Sequence, residues 1–129
     1  MKQRLIALLA GLLLLSACSS GSDNGTSLGV DDFAELAASD GVVVLDVRTP
    51  AEFDSGHLSG AINIDVEQSD FGDRIADLDT SATYAVYCHS GNRSGVAVKA
   101  MVDAGFTDVS DLDGGIAAWA QAGQPVVTG

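Results

Sequence analysis

The run Val42-Val43-Val44-Leu45-Asp46-Val47 sets five apolar residues around a single aspartate, with no alternation between polar and apolar positions. Successive side chains of a strand point to opposite faces, so a run like this has to be covered on both sides. That is the condition of a strand inside a parallel sheet flanked by helices. Asp46 needs a partner there, because a lone buried carboxylate is costly. Arg48 and Glu52, just beyond the run, are the nearest candidates for a hydrogen-bonded cluster with it.

The remaining pattern has the same rhythm. Asp31 or Asp32 can cap a short helix carrying Phe33, Leu36 and Ala37 and ending around Ser39-Asp40-Gly41. Thr49 and Pro50 read as the N-cap and first turn of another helix. Gly56 to Ile64 is a glycine-punctuated loop feeding a second short strand, in which His57 reads as fixed by backbone hydrogen bonds rather than as a general base. A helical stretch is expected from Val66 to Leu78, and a strand over Tyr84-Ala85-Val86-Tyr87. From Ser94, Val96, Ala97, Ala100, Met101 and Ala104 mark one face of a helix with Gly105 at its C-cap. Thr107 to Leu112 holds a last strand, and Gly114-Gly115 opens a helix with Ile116, Ala117 and Trp119. With 129 residues and 47% hydrophobic content, the chain can bury one modest core. The expectation is a single α/β domain with a mainly parallel central sheet of about five strands, helices on both faces, and a ligand site beyond the carboxyl ends of the strands.

The N-terminal part differs. Lys2 and Arg4 precede an apolar run, Leu5 to Leu15, and then Leu15-Ser16-Ala17-Cys18. As a helix the run rises about 16 Å, too short for a hydrocarbon core of ~30 Å, and it reads as a signal peptide. Leu-Ser-Ala-Cys resembles the lipobox of bacterial lipoproteins, which implies that Cys18 is lipidated and becomes the new N-terminus; ordinary secretory cleavage is the alternative. Ser19 to Leu28 is a flexible tether with a reach of ~18 Å. The expected organisation is therefore a signal peptide at 1–17, a lipidated tether at 18–29 and a domain at 30–129. It places the protein on the extracytoplasmic side of a bacterial cell membrane, held by its lipid alone. The 18 acidic residues outnumber the 6 basic ones, giving a formal charge of −12 that argues against nucleic acid and anionic lipid surfaces as partners.

Lipidation of Cys18 would leave Cys88 as the only thiol, and an unpaired cysteine in an exported chain points to an intermolecular bond or a reactive thiol. Cys88 ends an apolar run and is followed by His89-Ser90-Gly91-Asn92-Arg93-Ser94 and a helical pattern. Backbone N–H groups of such a loop and the positive end of the next helix favour a thiolate and an anion bound beside it.

Four motifs, taken together, resemble a rhodanese-homology domain: Leu45 to Phe53, Gly56-His57-Leu58 with Gly60-Ala61-Ile62-Asn63, Cys88 to Ser94, and Leu112 to Ile116 with Trp119. The resemblance runs from about Val30 to Gln124. It implies a sulfurtransferase whose cysteine takes a sulfane sulfur from a donor such as thiosulfate or a persulfide, holds it as a persulfide, and passes it to a thiol or to cyanide. No metal and no cofactor is implied. In that role Cys88 is the nucleophile, while His89, Ser90, Gly91, Asn92, Arg93 and Ser94 bind the substrate. The N–H groups cradle the terminal sulfur, Arg93 grips an oxyanionic donor, and Ser94 caps the helix or donates to the thiolate. Asp46, Arg48, Glu52 and His57 support the site. Many loops of this family carry arginine where this one has His89, which leaves low-molecular-weight persulfides or a protein sulfur donor or acceptor open beside thiosulfate. A phosphatase or arsenate reductase is the lesser enzymatic alternative, since those relatives place five residues between cysteine and arginine and this loop has four. A non-catalytic binding module of the cell envelope is the reading from another class.

Overall fold

The computed structural model describes residues 25–129, so the signal-peptide run and Cys18 lie outside the described residues. The two non-alternating apolar runs form the middle of the sheet. Val42–Asp46 is strand β2 and Thr83–Tyr87 is β4, paired in parallel with Leu45 opposite Val86. The short strand β3, Ile62–Asn63, lies on the outer side of β2, and β5, Asp108–Leu112, lies on the other side of β4. The sheet closes with a strand that sequence patterning assigned to the tether. Thr26–Leu28 is β1, parallel to β5 with Ser27 opposite Asp111. Two of its three side chains are exposed, so main-chain pairing holds this edge strand and hydrophobic periodicity does not reveal it. The folded part therefore begins before residue 30. The order is β1-β5-β4-β2-β3, all parallel.

Helices cover both faces. Alternate residues of β4 divide between two cores: Tyr84, Val86 and the following Cys88 face one, Ala85 and Tyr87 the other. The first core takes Phe71 and Ile75 of α3, Phe71–Ala76, and Ala97, Val98 and Met101 of α4, Asn92–Asp103. The second takes Phe33 of α1, Val30–Ala37, and Ile116 and Trp119 of α5, Gly115–Gln121. A further short helix, α2, spans Pro50–Ser55 and opens on a capping box, in which Thr49 accepts from the Glu52 N–H and the Glu52 carboxylate accepts from Thr49.

Three local expectations are corrected. α1 has Gly29 at its N-cap with no side-chain capping bond, and Asp31 and Asp32 lie in its first turn, where carboxylates complement the positive end of the helix. The stretch from Val66 to Leu78 is helical only over α3. Ahead of it the Val66 N–H bonds to Val47 and extends the sheet edge, and the buried Asp65 carboxylate accepts the Glu67 N–H in a turn. On α4, Val96 is 63% exposed, and Ser94, Ala97, Val98 and Met101 make the inward face instead.

Candidate active site

β4 ends at Tyr87, and Cys88 follows at the carboxyl edge of the sheet with 1% of its surface exposed. The loop turns into α4 through Gly91, the N-cap, whose φ of 108° is a conformation open to glycine and strained for other residues. Its N–H donates to Cys88 Sγ at 3.0 Å. No side chain caps α4, so the first-turn amides are left to face the sulfur. The carbonyls on the other side are pinned: Cys88 O accepts the Ile116 N–H at 2.9 Å and His89 O accepts the Ala117 N–H at 3.1 Å. In a trans peptide the N–H points opposite to its carbonyl, so the first turn of α5 fixes which way the loop amides aim. Gly115 makes that contact sterically possible. A Cβ there would lie 2.4 Å from both the carbonyl carbon and oxygen of His89 and 2.6 Å from the Cys88 oxygen.

Burial pushes the Cys88 thiol up, but the Ser94 hydroxyl and the N–H groups of Ser94, Gly91 and Ser90 together hold it below its ordinary value. Ser94 is not the cap. It is fully buried in the first turn of α4, 3.5 Å from Cys88 Sγ, and its one hydroxyl hydrogen has two oxygen acceptors in reach, Gly91 O at 3.1 Å and Asp111 Oδ2 at 2.9 Å. Asp111, buried on β5, is a member of the site that pattern reading missed, because its partner lies seventeen residues away on another element.

Arg93 is placed at the loop as expected, but its fork is occupied. Nη1 and Nη2 donate to the two Glu52 oxygens at 2.7 and 2.9 Å, and Glu67 lies 4.0 Å from Nη1. The Arg93 hydrogen bonds, followed by those from Thr49, take the Glu52 carboxyl down to about 2 against the opposing effect of burial, and the guanidinium is raised in turn. Glu52 thus leaves the cluster to which its sequence position assigned it and joins α2 to the active loop. Asp46 keeps Arg48, whose guanidinium carbon lies over the Tyr87 ring, 5.6 Å from its centre. The pair is bidentate, with Nε 3.0 and 3.1 Å and Nη2 2.6 Å from the carboxylate, while Nη2 also donates to Gly56 O. His57 is held as expected. Nδ1 donates to Phe53 O at 2.9 Å, the ring stacks on Phe53, and its main chain pairs with Val127. His89, Ser90 and Asn92 are exposed on the outside of the loop, and among the described residues the His89 side chain makes no hydrogen bond or ion pair.

Known proteins share this architecture. The Rhodanese-like domain family matches residues 29–122. The chain is 39% identical over 85 residues to the thiosulfate sulfurtransferase GlpE of Pseudomonas putida, covering 66% of this chain and 76% of that protein. It is 40% identical over 84 residues to the probable adenylyltransferase/sulfurtransferase MoeZ of Mycobacterium tuberculosis, covering 65% of this chain but spanning only 21% of that protein's length. The crystal structure of a rhodanese-related protein from Thermoplasma volcanium aligns with a TM-score of 0.72 at 35% identity, covering 81% of this chain and 99% of that one.

Proposed function

Because the chain belongs to the rhodanese-like domain family, we propose that it is a sulfurtransferase working through a persulfide on Cys88. The observation that carries this is the sulfur at the end of β4 with the Gly91 N–H donating to it at 3.0 Å from the uncapped start of α4. The Cys88 thiolate attacks the terminal sulfur of a donor. A new S–S bond forms, the bond from that sulfur to the rest of the donor breaks with its electron pair, and sulfite leaves from thiosulfate or a thiolate from an alkyl persulfide. The negative charge moves from Sγ to the terminal sulfur, where the loop amides stabilise it. A thiol or cyanide then takes that sulfur and restores the thiolate. A cysteine 1% exposed behind a four-residue loop suits delivery of one sulfur atom better than attack on a tetrahedral phosphoryl centre.

The donor we favour is an alkyl persulfide, small or protein-borne, over thiosulfate. The Arg93 fork is closed end-on by Glu52 with Glu67 4.0 Å from Nη1, and Asp111 lies one hydrogen bond behind Ser94, so a dianionic donor meets little free positive charge. Mass spectrometry of the protein after incubation with each donor tests both levels of this reading: one sulfur atom should add to Cys88. Glu52→Gln should open the fork and raise the ratio of thiosulfate to alkyl-persulfide loading rates by about tenfold, the worth of one hydrogen bond to a charged group. An unchanged ratio would overturn the donor assignment.

Residues 1–18 support a lipid-anchored protein facing away from the cytoplasm. Cys18→Ala should release it from the membrane fraction or leave it unprocessed. A variant that stays membrane-bound with a correctly cleaved, unmodified N-terminus would rule out the anchor.

A further inference from the structure

Ser94 has one hydroxyl hydrogen and three acceptors around it: the Gly91 carbonyl at 3.1 Å, the Asp111 carboxylate at 2.9 Å and Cys88 Sγ at 3.5 Å. Ser94 is completely buried and Asp111 and Cys88 nearly so, and a hydrogen bond lost among them is poorly replaced by water. Among the described residues, Ser94 is the only donor to the Asp111 side chain.

We propose that Asp111 is a positioning residue that competes with Cys88 for the Ser94 hydrogen and so governs when the cysteine becomes a nucleophile. The inference rests on the sulfurtransferase reading only for its consequence. In the resting site the hydrogen lies toward Asp111, the shorter contact and a charged acceptor, and Ser94 turns a lone pair to Cys88, whose S–H donates to it. When the thiol loses its proton to solvent, the thiolate can take the Ser94 hydrogen only by leaving Asp111 a buried carboxylate without a donor, which is costly. Once Cys88 carries a sulfane sulfur, the charge sits one atom further out in the loop, Sγ is neutral, and the hydrogen returns to Asp111. The carboxylate therefore weakens, without abolishing, the hold of the Ser94 hydroxyl on the bare thiolate, and leaves the loaded form undisturbed.

The charged groups near this chain of bonds are few. Arg93 on α4 bears on Cys88 through its charge, with Glu52 of α2 bonded to it and Glu67 beside it; His89 lies in the loop and Asp111 on β5. α5 and β4 contribute no charged side chain.

The test is the pH dependence of Cys88 alkylation by iodoacetamide, a reaction of the thiolate that needs no sulfur donor. Asp111→Asn replaces the charged acceptor by a neutral amide, whose oxygen holds the Ser94 hydrogen less strongly, and that hydrogen should go to the thiolate rather than to the amide or the Gly91 carbonyl, because a charged acceptor binds more strongly. Alkylation below the thiol pKa should accelerate about tenfold, with the pH profile displaced to lower pH. Asp111→Leu removes the acceptor without adding a donor and should act in the same direction, which protects the test if one variant folds poorly. In a Ser94→Ala background, Asp111→Asn should change the rate little. An equal acceleration there would mean that the carboxylate acts through space, and no acceleration in the native background would mean that it does not govern the thiol; either overturns the proposal. A wild-type protein that alkylates as expected but takes up no sulfur would overturn the sulfurtransferase reading instead.

Discussion

Replacement of Cys88 by serine should leave a folded protein that takes up no sulfur from any donor. Cys88 is the one cysteine among the described residues, and it sits where the Gly91 N–H and the amides of Ser90 and Ser94 converge. Serine is nearly isosteric and can accept the same Gly91 hydrogen bond, so the core around it should survive, and a thermal midpoint within a few degrees of wild type should accompany the loss. The hydroxyl has neither the acidity nor the polarisability of the thiol, and none of the neighbouring side chains is a base placed to activate it: Ser94 is engaged with Asp111, and the His57 ring with Phe53. The wild-type rate should follow the thiolate fraction. Because the thiol is held below its ordinary value, loading should persist to lower pH than for a free cysteine and fall off only below that lowered pKa. Sulfur added to Cys88→Ser at the wild-type rate, measured by intact mass, would move the chemistry to another residue and remove the central claim.

That much was legible because the relevant residues are consecutive. The apolar run into Cys88, the glycine at the turn and the helical pattern after it specify a strand, a loop and a helix N-terminus, and the structure assembles them as read. Asp46 with Arg48 was legible for the same reason: two residues apart at a strand end, they have few other partners to choose. What sequence position could not supply was pairing across elements. Glu52 lies six residues from Asp46, and proximity suggested one cluster. α2 instead carries its carboxylate over to Arg93, forty-one positions away, and changes the site from one with a free cation to one with a neutralised cation. β1 was hidden because its contribution is backbone hydrogen bonding, which leaves no mark on side-chain periodicity.

Gly115 shows the same limit at its sharpest, and Gly115→Ala should abolish sulfur loading while costing about 2–5 kcal/mol of stability. In the sequence the Gly114-Gly115 pair reads as a helix opening. In the structure Gly115 has φ of 61° and lies against the back of the active loop, so an added methyl meets the His89 carbonyl and the Cys88 oxygen at 2.4 to 2.6 Å. These are backbone atoms, which cannot rotate aside as a side chain could. Either the loop moves away from α5, breaking the Ile116 and Ala117 hydrogen bonds that hold the Cys88 and His89 carbonyls, or α5 moves away from the loop with the same effect. In both cases the amides lose the orientation that lets them face Sγ, and the thiol should return toward the value that burial alone would give. Gly123 separates this from the general strain of a left-handed residue: its φ is 79° and a Cβ there meets nothing within 4 Å. Gly123→Ala should therefore cost only about 1–2 kcal/mol for the backbone conformation and leave loading unchanged. Thermal unfolding paired with sulfur loading on both variants decides the matter. If Gly115→Ala loads sulfur as Gly123→Ala does, the contact between α5 and the loop does not set the geometry of the site.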